Sequence, residues 1–345
     1  MVSVVIPCLN EVDYIDDTLA SLQGQTDCQE AWEVFVVDGG STDGTRERVR
    51  AWSNRDSRIQ MLDNPQRYTP QALNIGIRAA RGEVVIILGA HAHCHPDFLR
   101  RNLDALRAHP ESACVGGIVE QQHGSVTSRR IGAALSTPFG VGDARFRTGG
   151  SAGHVDTVAF GAYRKEALFE IGLFDERLVR NQDDELNFRL HEAGWRIWFD
   201  PRIRSSYHVR STYKNLFRQY KQYGYWKVFV NRKHKTVTTW RQVVPALFLL
   251  SLMAGVLGYA WEWSGRGSDA WVGLSFSWLV TLLLAWLTGA SFSAVNIAAQ
   301  ARDVPGIIWS FAVVHGAYGW GYLEGFVRFI LFQLPPRAAS LRITR

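Results

Sequence analysis

The chain has 345 residues, 47% of them hydrophobic, and a formal net charge of +6. This length holds one large domain and something smaller, and so modest a positive balance argues against nucleic acid as a partner. Cys8, Cys28, Cys94 and Cys114 have neither metal-ligand spacing nor the density of a secreted disulfide scaffold, so reduced thiols are expected.

Met1 runs directly into "VSVVIP", an apolar strand, which predicts no leader peptide ahead of it. Glu11 to Gln23 is amphipathic, with Ile15, Leu19 and Leu22 on one face. "WEVFVVDGG" is a second strand, and "TDGTRERVRAW" opens a helix for which Thr42 or Asp43 is the expected N-cap. A short strand, "IQMLD", leads to the helix "TPQALNIGIRAA" with Pro70 in its first turn, then to the strand "GEVVIIL". Alternating strands and helices, with the strands fully apolar, predict an α/β domain built on a doubly covered, mostly parallel sheet. Ligands of such sheets bind beyond the carboxyl ends of the strands, here "PCLNE", "DGGSTDGT" and "GAHAH", all rich in small and polar residues. GxGxxG and GxxxxGK(S/T) are both missing, so the dinucleotide and P-loop readings lack their phosphate loops. Asp43 alone reads equally well as a turn residue, whereas Asp38 ends a buried strand.

Downstream, "NQDDELNFRLHEAG" is a helix start whose acids suit the helix dipole. "YKNLFRQYKQYGYWKVFV" (Tyr213 to Val230) sets aromatic and basic residues at helical spacing, as an interfacial amphipathic helix does. Charges then become sparse through three apolar segments, Val243–Trp261, Trp271–Ala290 and Gly306–Leu334, each long enough for a bilayer of ~30 Å. Lys227, Arg232, Lys233, Lys235 and Arg241 precede the first segment, which predicts that the large domain is cytoplasmic. The basic tail "PPRAASLRITR" also asks to be inside, so one segment is expected to be re-entrant or interfacial. The third is the candidate, because His315, Glu324, Arg328 and several glycines interrupt it. The expected organisation is a soluble domain over 1–210, an interfacial helix and basic linker over 211–241, a transmembrane region over 242–335 and a tail over 336–345.

"VVIPCLNE", "VVDGGSTDGT", "ALNIGIRAARGEVVIIL", "GAYRKEALFEIGLFDE" and "NQDDELNFRLHEAGWRIWFDP", in this order, resemble family 2 glycosyltransferases of the GT-A fold. "RYTPQALNIGIRAARGE" and the apolar C-terminal part are similar to bacterial membrane-bound exopolysaccharide glucosyltransferases of the succinoglycan-biosynthesis type. The resemblance implies an inverting enzyme in the bacterial plasma membrane that transfers from a nucleotide-sugar donor, UDP-sugar first, to a lipid-linked saccharide, with an assembly complex as further partner. It implies that Pro7, Asn10 and Glu11 lie beside the nucleoside, that Asp38 binds the base edge, and that Asp43 shares that loop. Arg67 is placed for the donor phosphates or is a solvated loop charge. "QDDE" matches an acidic signature that usually begins with Glu, here Gln182. On that register Asp183 is the catalytic base and Glu185 the later acid, with Asp184 the base if the register shifts by one. "RQYKQYGYW" is a loose match to the Gln-x-x-Arg-Trp of processive relatives, which implies acceptor contacts for Arg218, Gln219 and Trp226; a membrane-interface anchor is the other reading of Trp226.

"GAHAHCHPD" stands where the family has Asp-x-Asp, so the first acid is replaced by Gly89 and the metal position falls to His91. Three readings stay open: His91 holds Mg²⁺ or Mn²⁺ with phosphate and water, His and Arg neutralise the diphosphate without metal, or the site binds without catalysing. His95 and Asp97 are expected to cap the helix "HPDFLRRNL". A processive polysaccharide synthase, a polyprenyl-phosphate glycosyltransferase and a non-catalytic nucleotide-sugar-binding scaffold are the alternatives to a single-transfer enzyme.

Overall fold

All seven residues of β2 (Trp32–Asp38) are buried, as are all but Pro7 of β1 (Val2–Cys8), as interior strands of a sheet covered on both faces are. A computed structural model of the chain describes residues 1–26, 28–209, 212–238, 240–264 and 273–337. It divides into two compact units, residues 1–122 with 143–208, and residues 123–142 with 209–345.

In the first unit β1 is followed by α1 (Ile15–Gln23), β2, α2 (Thr45–Arg55), β3 (Ile59–Asp63), α3 (Thr69–Ala79), β4 (Val84–Ile87) and β5 (Ala92–Cys94). Then come α4 (Phe98–Ala108) and β6 (Ser112–Gln122). The chain leaves for the second unit through α5 (Val126–Leu135) and α6 (Pro138–Val141). It returns with α7 (Arg145–Thr148), β7 (Gly153–His154), β8 (Ala162–Arg164), α8 (Lys165–Glu170), α9 (Gln182–Glu192) and β9 (Arg196–His208). The sheet order is β3-β2-β1-β4-β8-β6-β9-β5, with β7 on β9.

The expectation of a mostly parallel sheet holds only for β3-β2-β1-β4 and the β6–β9 pair. β8 runs antiparallel to both β4 and β6, and β5 and β7 run antiparallel to β9, so the sheet is mixed. The link from β4 to β5, residues 88–91, is far too short for a parallel crossover, which needs a dozen or more residues. Alternate residues of the central strands feed two cores. Val4, Ile6, Val34 and Val36 pack with α1, α2 and α4, while Val5, Phe35 and Val37 pack with α3, α8 and α9. Pro70 does sit in the first turn of α3. Cys8, Cys94 and Cys114 are buried core residues in no disulfide; burial pushes Cys94 up to about 12, out of reach of ordinary thiolate chemistry.

At the amino ends of the strands, buried Glu33 accepts from Ser3 Oγ at 2.7 Å, Arg81 N at 2.8 Å and Arg81 Nε at 2.8 Å. Ser3 Oγ in turn accepts from Gly82 N at 2.9 Å, so one carboxylate ties β1, β2 and the entry to β4.

The second unit contains α10 (Tyr213–His234), α11 (Val244–Trp263), α12 (Leu274–Ile297) and α13 (Val304–Gly325), the last followed by a π-helical turn, Phe326–Leu331. Among the described residues, α11 and α12 are the two helices long and apolar enough to cross a membrane, and only 11% of either span is buried. Leu257, Trp263, Phe292 and Val295 are among their exposed apolar residues. The expected third span becomes α13, whose glycines other than Gly316 are packing positions instead of interruptions. A Cβ at Gly321 would lie 1.9 Å from Lys221 O of α10, one at Gly325 2.7 Å from Tyr225 O, and one at Gly224 2.1 Å from Tyr318 O. Glycines at both sides of the crossing let two backbones touch. His315 is likewise satisfied: Trp286 Nε1 donates to its Nδ1 at 3.0 Å and its Nε2 stands 2.8 Å from Phe139 O, the pattern of one neutral tautomer.

Residues 123–142 do not belong to the first unit, contrary to the expected 1–210 domain, because α5 packs on α13. Arg129 and Arg130 both bind the buried Asp303 at the start of α13, at 3.0 Å each, and Ala134 packs with Ala290, Ala294, Ile307 and Phe311. Lys227 is fully buried on α10, so it does not add to the basic flank. Trp271 and the tail from residue 338 lie outside the described residues.

Gly321→Leu is expected to abolish a stable helix pair, at a cost of at least ~1–3 kcal/mol from overpacking against backbone that cannot yield. Gly316→Leu on the same helix, where a Cβ meets nothing within 4 Å, is the neutral control, with thermal unfolding in detergent as the measurement. For Glu33, burial alone would raise the carboxyl, but the bonds from Arg81 and Ser3 outweigh it and hold the group below its ordinary value. Its stabilisation is therefore present above the ordinary carboxylate pKa and lost as pH falls through and below it. Melting temperature should drop on acidification in the wild type, and Glu33→Gln should start lower and lose this acid-dependent component.

Candidate active site at the strand ends

The loops after β1 and β2 are woven together by hydrogen bonds. Asn10, in the left-handed region at φ 50°, donates from its backbone to Ser41 Oγ at 2.6 Å and accepts from Thr42 N at 2.7 Å. Glu11 N donates to Thr45 Oγ1 at 2.7 Å, and Val12 N to Asp43 Oδ2 at 3.2 Å. The N-cap of α2 is Gly44, at φ 102°, not Thr42 or Asp43. Asp43 still receives Thr45 N and Oγ1, at 3.1 and 2.6 Å. Partial burial acts against its ionisation, but the bonds from Thr45 and Val12 hold its carboxyl below the usual range.

Asp38 is 1% exposed, and both its oxygens are occupied. Gly40 N, Ser41 N and Arg46 Nη1 donate to Oδ2 at 2.9, 3.1 and 2.6 Å, and Ser41 Oγ donates to Oδ1. Arg46 extends its other arm to Asp63 at 2.8 Å. The acid expected to read a base edge thus also shapes its own loop. Pro7, half-buried in β1, pairs with Val37 beside this loop. Gly39 lies under Arg67, where a Cβ would stand 3.3 Å from the Arg67 Cα and O; Arg67 itself is held at φ 70°.

The three histidines diverge. His91 Nδ1 lies 3.7 Å from Glu11 Oε1, with the rings of Tyr14 and Tyr207 at 6.4 and 6.5 Å. His93 is exposed on β5 between buried Ala92 and Cys94, as strand alternation requires. His95 Nε2 faces Glu120 at 3.8 Å. Asp97 precedes α4 but makes no side-chain cap; it pairs with Arg101 at 2.9 Å. Among the described residues no group of three His, Cys, Asp or Glu is placed to hold a metal ion. The space that a side chain at position 89 would take is crowded by Phe160, whose Cε1 would stand 3.1 Å from a Cβ on Gly89.

At α9 the acids separate by burial. Asn181 at φ 61° leads into the helix, Asp183 is exposed, Asp184 is half-buried and Glu185 is fully buried. Asp184 N donates to Asp183 Oδ1 at 2.9 Å. Glu185 is bound by both arms of Arg189 at 2.8 Å, and Arg189 also donates to the Ile171 and Leu173 carbonyls. Glu185 therefore anchors α9 instead of serving as the later acid, because burial and the guanidinium leave it nothing to exchange with a substrate. Beneath, burial pushes the Tyr163 phenol well above its ordinary value, with Cys114 and the charge of Asp183 adding to the effect. Gln182 Oε1 is buried without a hydrogen-bond partner.

In the second unit Arg218 is exposed, and Gln219 Nε2 donates to Tyr223 OH at 2.8 Å. Trp226 is fully buried, edge-on to Tyr225 and Phe229, so its ring offers no face to a sugar; the interface-anchor reading fails for the same reason. Phe160, Tyr207 and Arg147 escaped the sequence reading, since each acquires its place from a partner distant in the chain; Arg189 escaped it although Glu185 stands four residues earlier on the same helix.

Residues 3–172 match the model of "Glycosyl transferase family 2". The chain is 32% identical over 285 residues to the succinoglycan biosynthesis protein ExoA of Rhizobium meliloti, covering 79% of this chain and 85% of that one. The chain belongs to glycosyltransferase family 2. A second relative, of Methanococcus voltae, is 30% identical over 74% of this chain and 81% of its own, and is named dolichyl N-acetyl-alpha-D-glucosaminyl phosphate 3-beta-D-2,3-diacetamido-2,3-dideoxy-beta-D-glucuronosyltransferase. Among solved structures, the Pyrobaculum calidifontis mannosyltransferase PcManGT, in complex with GDP-Man and Mn²⁺, superposes with a TM-score of 0.53 at 19% identity, over 94% of this chain and 86% of that one. The expected GT-A fold is borne out, and the protein is a glycosyltransferase.

For this family 2 enzyme, Glu185→Ala should destabilise the domain by roughly 1–3 kcal/mol, because it takes the carboxylate from a guanidinium that is only 18% exposed and leaves it the Ile171 and Leu173 carbonyls alone. The double variant Glu185→Leu/Arg189→Met should recover much of the melting temperature, which separates an anchor from a catalytic acid.

Proposed function

We propose that this glycosyltransferase moves one sugar, with inversion, from a nucleoside-diphosphate donor to a lipid-linked saccharide at a membrane. The observation that carries the reading is the sorting of the "QDDE" acids: Asp183 alone of the three carboxylates is exposed at the first turn of α9, free of the burial that removes Glu185. In this scheme the Asp183 carboxylate takes the proton of the acceptor hydroxyl as that oxygen forms its bond to the anomeric carbon. The bond from the anomeric carbon to the phosphate oxygen breaks on the opposite face, and its electron pair leaves with the nucleoside diphosphate.

Glu11 and His91 suit a divalent ion only in part. Their donors, 3.7 Å apart, are two where a closed site needs more, so diphosphate oxygens and water would complete the shell, as they commonly do for Mg²⁺. An imidazole favours Mn²⁺ over Mg²⁺ in that place. When bound, the ion would supply charge stabilisation for the departing diphosphate. The complex of PcManGT with GDP-Man and Mn²⁺ supports the assignment of donor class and ion. The names of the Rhizobium and Methanococcus relatives support a lipid-linked glycan or exopolysaccharide as product, and the exposed apolar lengths of α11 and α12 support a membrane location. Burial of Trp226 removes the residue on which a processive reading rested.

Asp183→Asn should lower transfer by about 10²–10⁴-fold while donor binding by calorimetry stays unchanged. Asp184→Asn should cost far less, and the reverse ranking would move the base to Asp184. Wild-type protein in detergent, given lipid-linked acceptor, should consume a UDP- or GDP-sugar; consumption of neither overturns the reading.

A further inference from the structure

The returning segment after α6 places a cation at the strand ends that no part of the scheme above uses. α7 is a single turn ended by Gly149 and Gly150, both in the left-handed region at φ 76° and 127°. Arg145 ties the following loop by donating to Ser151 O at 3.1 Å. Arg147, two residues on, reaches Tyr207, its Nη1 donating to the phenol oxygen at 2.5 Å, with the guanidinium over the Tyr207 and Phe146 rings at 5.4 and 5.3 Å. Tyr207 lies at the carboxyl end of β9, opposite Ala92 on β5 and Gln121 on β6. Its ring is also the neighbour of His91, which faces Glu11. Arg147, Tyr207, His91 and Glu11 thus form one continuous row across the ends of β9, β5 and β1.

We propose that Arg147, positioned by Tyr207, binds the donor diphosphate and neutralises the charge that gathers on it as it leaves. This rests on the function proposed above. The chemistry requires such a group. A departing nucleoside diphosphate carries several negative charges. A planar guanidinium offers paired donors that match phosphate oxygens. Fixed in place by a phenol and two rings, it also needs no reorganisation as the charge develops. During transfer the electron pair of the breaking bond from sugar to phosphate stays on the β-phosphate oxygen, and Arg147 gives up no proton.

The test uses the full-length protein in detergent and calorimetry with UDP, UMP, GDP and GMP, each with and without Mn²⁺. For whichever base the wild type accepts, Arg147→Met should reduce the preference for diphosphate over monophosphate tenfold or more, with melting temperature unchanged. Tyr207→Phe keeps the ring and removes the anchoring oxygen, and should reduce that preference two- to fivefold. An unchanged preference in folded Arg147→Met overturns the inference while leaving the proposed function intact. If Arg147→Met does not fold, Arg147→Lys decides: loss of part of the preference supports the fork, and a wild-type preference overturns it. A wild type that binds none of the four nucleotides overturns the donor reading, and this inference with it.

Discussion

The site depends on one buried carboxylate that is wholly occupied. Asp38 ends a strand with every residue buried, and an ionised acid there is tolerable only because Gly40, Ser41 and Arg46 surround it. In satisfying Asp38, Ser41 is also fixed for Asn10, and the turn that follows brings Asp43 and Thr45 to the backbone of Val12 and Glu11. The position of Glu11, and so of the corner it makes with His91, is inherited from that single desolvated charge.

The two ends of the same strands are built on different terms. At the amino ends Glu33 closes a complete network, one carboxylate binding two strands and the approach to a third. At the carboxyl ends the closed network of Asp38 is joined by pairs, Glu11 with His91 and Arg147 with Tyr207, which a charged ligand would link.

Much of this was legible in the residues. The strands declared themselves because central parallel strands are apolar on both faces, and α3 because Pro70 and its apolar spacing agree. Several family motifs fall on the loops at the carboxyl ends of the strands. Burial was what the sequence concealed. Glu185 and Asp183 are two residues apart in one helix turn, yet only the packing of Arg189 against the Ile171 and Leu173 carbonyls decides that one is an anchor. Trp226 and Lys227 looked like membrane-facing residues because their cover, α13, lies far downstream, and the glycines that make the close crossing possible read in isolation as helix breakers. Residues 123–142 were assigned to the wrong unit for the same reason: Asp303, the partner that claims Arg129 and Arg130, is distant in sequence.

Phe160 has a consequence for how this site can change. The ring stands 3.1 Å from where a Cβ at position 89 would begin. An aspartate there needs the ring to give by a few tenths of an ångström, and Phe160 is half-buried. What position 89 can hold is therefore tied to a residue about seventy positions along the chain: a carboxylate enters this corner where the Phe160 ring yields.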